Sequence, residues 1–278
     1  MLSHKLTSRL LGGLAYALLF AGMVAALMPF WWTLITSVKF PADTTTYPII
    51  WLPSRITFHH FVKAWHANFA IYYRNSLIVA VAVVLGNIFT SVVAGLVFAK
   101  YEFPLKNVLF LAVLGTMMVP FAVVLIPAYL IVAQFLKLKD SLWGLIVPSL
   151  VSPFGIFLMR QYIHSIPDAL LDAARIDGAS NWRTLWAIVV PLCRPALSAL
   201  AIFHLIWNWN DFLWPLLITD SDRSRTLPVG VALFVFQRWQ QYNLVVAASV
   251  LVLIPMVIFY ILFQRAFVQG IVMTGLKY

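Results

Sequence analysis

The chain has 278 residues, of which 63% are hydrophobic and only 10% charged, with a mean hydropathy of +0.92. Soluble domains carry roughly 25% charged residues, so this composition excludes a soluble protein and describes an all-α integral membrane protein, built as a single polytopic domain over residues 1–278. The net charge of +10 comes from 19 Lys and Arg scattered through short polar segments; without a basic run, this excess flanks apolar spans and does not describe a nucleic-acid surface.

A membrane helix needs about 20 mostly apolar residues, and charge-poor intervals mark six. The first lies between Arg9 and Lys39. Lys5 and Arg9 precede it as they would a secretory signal. The run nevertheless continues through Met28-Pro29-Phe30-Trp31-Trp32 without a small-x-small cleavage site, which predicts a retained helix. The connection 39–74 follows, rich in Pro, Thr and aromatics, and is the longest external connection. Its His59, His60 and His66 come without carboxylates and read as surface histidines rather than zinc ligands.

The second span lies between Arg74 and Lys100, the third between Lys106 and Lys137, and the fourth between Asp140 and Arg160. Met117, Met118, Pro120 and Pro127 predict that the third is kinked. The fifth runs from Pro195 to Thr219 with Asp211 as its single acid, and the sixth lies between Arg238 and Arg265. Six spans put both termini on one side. Of the 19 cations, ten then fall on that side and nine on the other, so the positive-inside rule leaves the orientation open.

Between the fourth and fifth spans lies a polar interruption, residues 164–195, that reads as two short helices joined by an elbow. Pro167 and Asp168 suit a helix entry, where a carboxylate faces the positive end of the dipole. Gly178 ends the first helix, because a helix C-terminus commonly needs a left-handed residue. Ser180 caps the second, on which Trp182, Leu185, Trp186 and Val189 repeat at helical spacing. Pro191 and Pro195 then break the chain as it re-enters the membrane. Small side chains at Ala173, Ala174, Gly178 and Ala179 would admit close approach by another protein, with Asp172, Arg175 and Asp177 offering charged contacts. An amphipathic elbow lying unpartnered on the membrane surface fits the same residues.

The run Asp172-Ala173-Ala174-Arg175-Ile176-Asp177-Gly178-Ala179, with Pro191 downstream, resembles the cytoplasmic loop motif of ABC importer permeases, which usually opens Glu-Ala-Ala. Asp172 stands where that motif has Glu and keeps the carboxylate on a shorter stem. Trp207-Asn208-Trp209-Asn210-Asp211-Phe212-Leu213-Trp214-Pro215-Leu216 resembles the fifth-helix segment of the carbohydrate-uptake subfamily. Thr226-Leu227-Pro228-Val229-Gly230 and the tail from Phe263 to Gly270, ending Gly275-Leu276-Lys277, resemble its later landmarks.

The resemblance implies the type I permease architecture of six helices, with the 172–191 loop as a cytoplasmic coupling helix seated in an ATPase subunit. It implies a bacterial or archaeal cytoplasmic membrane, both termini inside. The implied partners are two ABC ATPase subunits that bind ATP and Mg, a second and non-identical permease, an extracytoplasmic solute-binding protein and a carbohydrate. This chain would resemble the shorter permease subunit and bind no cofactor itself; it has no Gly-x-x-x-x-Gly-Lys-Ser/Thr phosphate loop.

Within the fifth span, Trp207, Asn208, Asn210 and Asp211 become candidate pathway residues. Amides and carboxylates bond hydroxyls, and indole faces cover C–H surfaces. Tryptophans at an interface and asparagines joining helices explain the same residues, and His204 reads as a packing residue. The loops 39–74 and 220–241 are candidates for meeting the binding protein. An ATP-independent secondary transporter or channel is the alternative. It calls for charged relays and often inverted repeats, whereas only Asp211 and His204 titrate inside the spans and no repeat is evident. The single Cys193 excludes an internal disulfide and a cysteine metal cluster, and no nucleophile–base constellation supports catalysis.

Overall fold

The computed structural model describes residues 2–238 and 241–275, with side chains over 12–44, 46–238 and 241–264. Helices account for 78% of the structure, with no strand among the described residues. Four helical stretches are long and apolar enough to cross a membrane, and two bent pairs raise the number to six.

The first span is α1, Leu2–Ser37. The connection 39–74 after it is folded. Lys39 is only 1% exposed. Its ammonium sits 4.2 Å over the Trp32 ring and donates to the Ile50 carbonyl, so its charge is met by a π face and a carbonyl together. The short α2, Pro41–Thr45, is tied down by Asp43, whose carboxylate accepts the Ser54 backbone N–H at 2.9 Å. Helix α3, His59–Ala64, leads through a kink at Ala67 and Asn68 into α4, Ala70–Lys100. Arg74 therefore lies inside the second span rather than bounding it.

The third span is broken more sharply than a proline kink. Helix α5, Lys106–Thr116, stops, and α6, Phe121–Tyr129, resumes at 94° and is prolonged by a π-helical stretch to Phe135. Pro120 has no N–H to give and drives Val119 out of helical geometry.

The fourth span is interrupted as well. Helix α7, Trp143–Ile146, tightens into a 3₁₀ turn over Val147–Ser149 before α8, Pro153–His164. Freed carbonyls inside a membrane need protein donors, and α4 supplies them: Asn87 Nδ2 donates to Ser149 O at 2.5 Å and Thr90 Oγ1 to Leu150 O at 2.9 Å. Gly95 of α4 lets α8 approach closely, since a Cβ there would meet Met159 Cβ at 2.7 Å. Arg160 also lies within its helix, its guanidinium 4.1 Å over the Phe110 ring of α5.

The interruption 164–195 contains α9, Asp168–Ile176, then α10, Asn181–Thr184, continued by a π-helical stretch to Val189 and by α11, Val190–Leu192. The chain turns 81° at Cys193 into α12, Arg194–Asn210. After a break at Asp211 and Phe212 come α13, Leu213–Ile218, α14, Leu227–Arg238, and α15, Tyr242–Gly275. Much of 220–241, expected as a loop, is thus helical. Leu276 and Lys277 of the C-terminal landmark lie outside the described residues, as does the side chain of Arg265.

By contacts the chain divides into two compact units, Met1–Asn68 with Val231–Pro255, and Phe69–Gly230 with Met256–Tyr278. In the first, the buried Asn243 joins α15 to the segment after α1, its Nδ2 donating to Lys39 O at 2.9 Å and its Oδ1 accepting from Thr44. In the second, Val92, Leu96, Met159, Ile163, Leu185 and Val189 form a core on which the 164–195 segment sits.

Candidate functional site

The elbow is specified by local chemistry. Along α9, Leu171 and Ala174 turn into the core at 4% and 6% exposure, while the intervening residues face out. The helix ends in a Schellman motif: Ala179 N–H reaches Ala174 O at 2.9 Å and Gly178 N–H reaches Arg175 O at 3.0 Å. The motif demands a left-handed residue, and Gly178 has φ +77°. Nothing lies within 4 Å of where its Cβ would be, so glycine is required here by backbone and not by internal crowding. Ser180 then caps α10, its Oγ accepting Arg183 N–H at 3.3 Å.

Of the six residues singled out for coupling, Asp172, Ala173, Asp177 and Gly178 are exposed, Ala179 is half-buried, and Ala174 faces the protein's own core. Asp172 and Arg175, both expected to offer charge outward, pair with each other at 2.9 Å. Ile176 is 86% exposed, a large apolar side chain at the tip of a polar elbow.

Lys100, which sequence reasoning used only as a span boundary, anchors the elbow. It closes α4, is 6% exposed along its side chain, and donates to Asp168 Oδ1 at 2.7 Å and to Ile166 O at 2.5 Å. The Lys100 hydrogen bond and charge hold the Asp168 carboxyl below its usual range. Beside this strut runs a polar groove of about 580 Å³ bordered by Glu102, His164, Asp172 and Arg175.

At the far end of α12 the candidate pathway residues divide. Trp207 is 50% exposed and stacks on Phe203, centroids 5.8 Å apart. Asn210 is exposed on the same side, three residues on. Asn208 and Asn210 spend their amide nitrogens on the carbonyls of His204 and Ile206, each at 2.8 Å, which leaves their oxygens for other partners. Asp211 is the C-cap residue of α12 and stands at the break before α13. Trp209 is buried against Phe259, and Trp214 is buried with its Nε1 on Gly144 O at 3.1 Å; both are packing residues.

Beyond this break the segment 220–227 is clamped by long-range bonds that no local pattern signalled. Asp140 Oδ1 accepts the N–H groups of Asp220 and Ser221, each at 2.9 Å, and the Ser224 hydroxyl. Burial opposes ionisation of Asp140, but these donors outweigh it and hold the carboxyl well below the usual range. Asn75 Nδ2 bonds the carbonyls of Arg223 and Arg225, Tyr72 Oη donates to Asp222 at 2.7 Å, and Ser76 Oγ accepts Leu227 N–H at 2.8 Å.

Residues 91–273 match the family model described as the binding-protein-dependent transport system inner membrane component. The arabinooligosaccharides transport system permease protein AraQ of Halalkalibacterium halodurans is 33% identical, over 82% of this chain and 82% of that protein. The sn-glycerol-3-phosphate transport system permease protein UgpE of Yersinia pestis bv. Antiqua is 33% identical, over 92% and 94%. Among solved structures, a chain of a bacterial ABC transporter involved in the import of the acidic polysaccharide alginate superposes with a TM-score of 0.84 at 25% identity, covering 93% of this chain and 97% of that one. A chain of a bacterial alginate ABC transporter in complex with an alginate pentasaccharide-bound periplasmic protein gives a TM-score of 0.59 at 15% identity and shares the fold. The chain belongs to the binding-protein-dependent transport inner membrane component family. It is a multi-pass inner-membrane permease subunit of an ABC importer and not an enzyme; ATP is hydrolysed by a separate subunit.

Proposed function

From this membership we propose that the chain translocates a carbohydrate delivered by an extracytoplasmic binding protein, by alternating access driven from two ATPase subunits. A second, non-identical permease completes the pathway. ATP and Mg bind on the ATPases, and the elbow 172–191 is the element that receives their movement. In this reading the elbow and both termini are cytoplasmic. The sugar class is supported by proteins named for arabinooligosaccharides and alginate, while the relative named for sn-glycerol-3-phosphate extends the range to a phosphorylated alditol. Trp207, Asn208, Asn210 and Asp211 are proposed to line the path, since the exposed Trp207 face beside two amide oxygens offers both the apolar and the polar half of sugar recognition.

The observation that carries the proposal is the elbow itself. It is closed by caps, fixed to span two by Lys100, and presents Asp172, Ala173, Ile176, Asp177 and Gly178 to the outside. A segment that satisfies its own backbone and holds its apolar tip outward is built to be gripped.

The test compares two substitutions at Gly178. Gly178→Ala adds strain at φ +77° with little bulk, whereas Gly178→Trp adds the same strain and projects an indole into the space where nothing of this chain stands. Gly178→Trp is expected to abolish copurification of the ATPase and uptake together, and Gly178→Ala to retain most of both. Unchanged uptake in Gly178→Trp would refute the coupling role. Uptake that survives complete ATP depletion would refute the ATP-driven mechanism.

A further inference from the structure

Helix α12 has two outward sides. At 3.6 residues per turn, Phe203, Trp207 and Asn210 share one, while Arg194, Ala201 and Leu205 fall on the opposite one. That second side walls an apolar groove of about 500 Å³, bounded by Leu77, Val81, Leu85 and Ile88 of α4 and closed by Phe259 and Phe263 of α15.

The dimensions of the groove restrict what fits it. Leu77 to Ile88 and Arg194 to Leu205 each cover eleven residue steps, or about 16 Å at 1.5 Å per residue, close to half of a hydrocarbon core about 30 Å thick. The groove is one leaflet long. The groove is lined almost wholly by aliphatic and aromatic side chains along this length, the surface a hydrocarbon chain takes.

Its polar end carries a charge. Arg194 is exposed and makes no hydrogen bond or ion pair among the described residues. Trp182 and Trp186 are exposed at that end, and Trp182 stacks on Phe89, next to Ile88, with centroids 6.3 Å apart at 12°. Exposed indoles mark the depth at which hydrocarbon gives way to headgroups. An uncompensated guanidinium at that depth, above an apolar trench, is complementary to a phosphate ester that carries an acyl chain.

We propose that the groove between α4, α12 and α15 holds one acyl chain of an anionic phospholipid, with the phosphate on Arg194. The site rests on the membrane placement of these helices and is independent of which solute the transporter carries.

The test uses the assembled transporter, purified in mild detergent after equilibration with equal phosphatidylglycerol and phosphatidylcholine, with retained lipid read by native mass spectrometry. The wild type is expected to retain phosphatidylglycerol preferentially. Arg194→Gln is expected to lower that retention about fivefold, the weight of one interfacial cation, and Arg194→Lys to keep most of it. Ala201→Phe, which fills the trench and leaves the cation, is expected to lower it as well. Equal retention in all four proteins would overturn the proposal. If Arg194→Gln does not assemble, a benzophenone on Ser198→Cys in a Cys193→Ser background decides: a lipid adduct supports the site, and an adduct with the second permease overturns it.

Discussion

At the elbow end of α12 the chain closes its backbone within a few residues, through the Schellman bonds at Gly178 and the Ser180 cap. At the other end, beyond Asp211, the segment 220–227 is held by Asp140, Tyr72, Asn75 and Ser76, from 80 to 151 positions away in sequence. The two arrangements respond differently to force. A locally closed elbow can be displaced as a body, since its hydrogen bonds move with it; among the described residues the Lys100 strut is its polar tie across the fold, beside non-directional apolar contacts of Leu171, Leu185 and Val189. A segment clamped at many distant points cannot shift without breaking bonds that bring together separate parts of the chain. One end of span five is built as a handle and the other as an anchor.

The comparison is broken most severely at Asn75, which is fully buried with two backbone carbonyls on its amide. Asn75→Ala should destabilise the protein by about 3 kcal/mol through two stranded carbonyls, read as a lowered Tm in detergent. If the anchor reading is right, the elbow's own protease protection is unchanged in that variant.

Lys100→Met sharpens the other side. It strands the Ile166 carbonyl but leaves Asp168 in solvent, so about 2 kcal/mol is expected. Its signature is functional, with ATPase activity still stimulated by loaded binding protein but yielding less transported solute per ATP. Lys100→Arg should restore much of that yield.

Acid gives a smaller effect. The folded-state pKa of Asp168 is depressed, so its contribution is present above the unfolded value near 3.8 and is lost as pH falls through the lower folded value. The Tm difference between wild type and Asp168→Asn should therefore be full at pH 7, begin to shrink as pH falls below about 4, and vanish only beneath the lower folded value; a difference that stays constant or grows on that descent would show that the pairing is not its source.

Ile176→Ser should be the mildest for the fold, within about 0.5 kcal/mol because the side chain is already in solvent. It should still weaken capture of the ATPase in pull-down, and an unaffected pull-down would mean that the tip of the handle is not gripped.

The same contrast explains what was legible in the sequence. The elbow could be read because its instructions are local: Pro167 before Asp168, Gly178 at the turn, Ser180 at the cap. The membrane spans could be read from intervals without charge, except where the structure finds a charge another use. Arg74 and Arg160 lie inside their helices, and Arg160 is covered by the Phe110 ring. Lys39 is buried under Trp32, which a charge count takes for a solvated boundary. The break in span three was visible as Pro120, but its size was not, because a proline permits a kink and the surrounding packing sets the angle. Asp140, Asn75 and Lys100 carry no local signature, since their partners are chosen by tertiary proximity.

The break in span three also bears on how the protein is made. Helix α5 has 11 residues, about 17 Å, too short to cross a bilayer alone, and it bends by 94° before its continuation begins. One of the groups that covers it is the Arg160 guanidinium on Phe110, which the ribosome delivers only later, with span four. The final, covered form of this span is therefore reached only after span four has been synthesised.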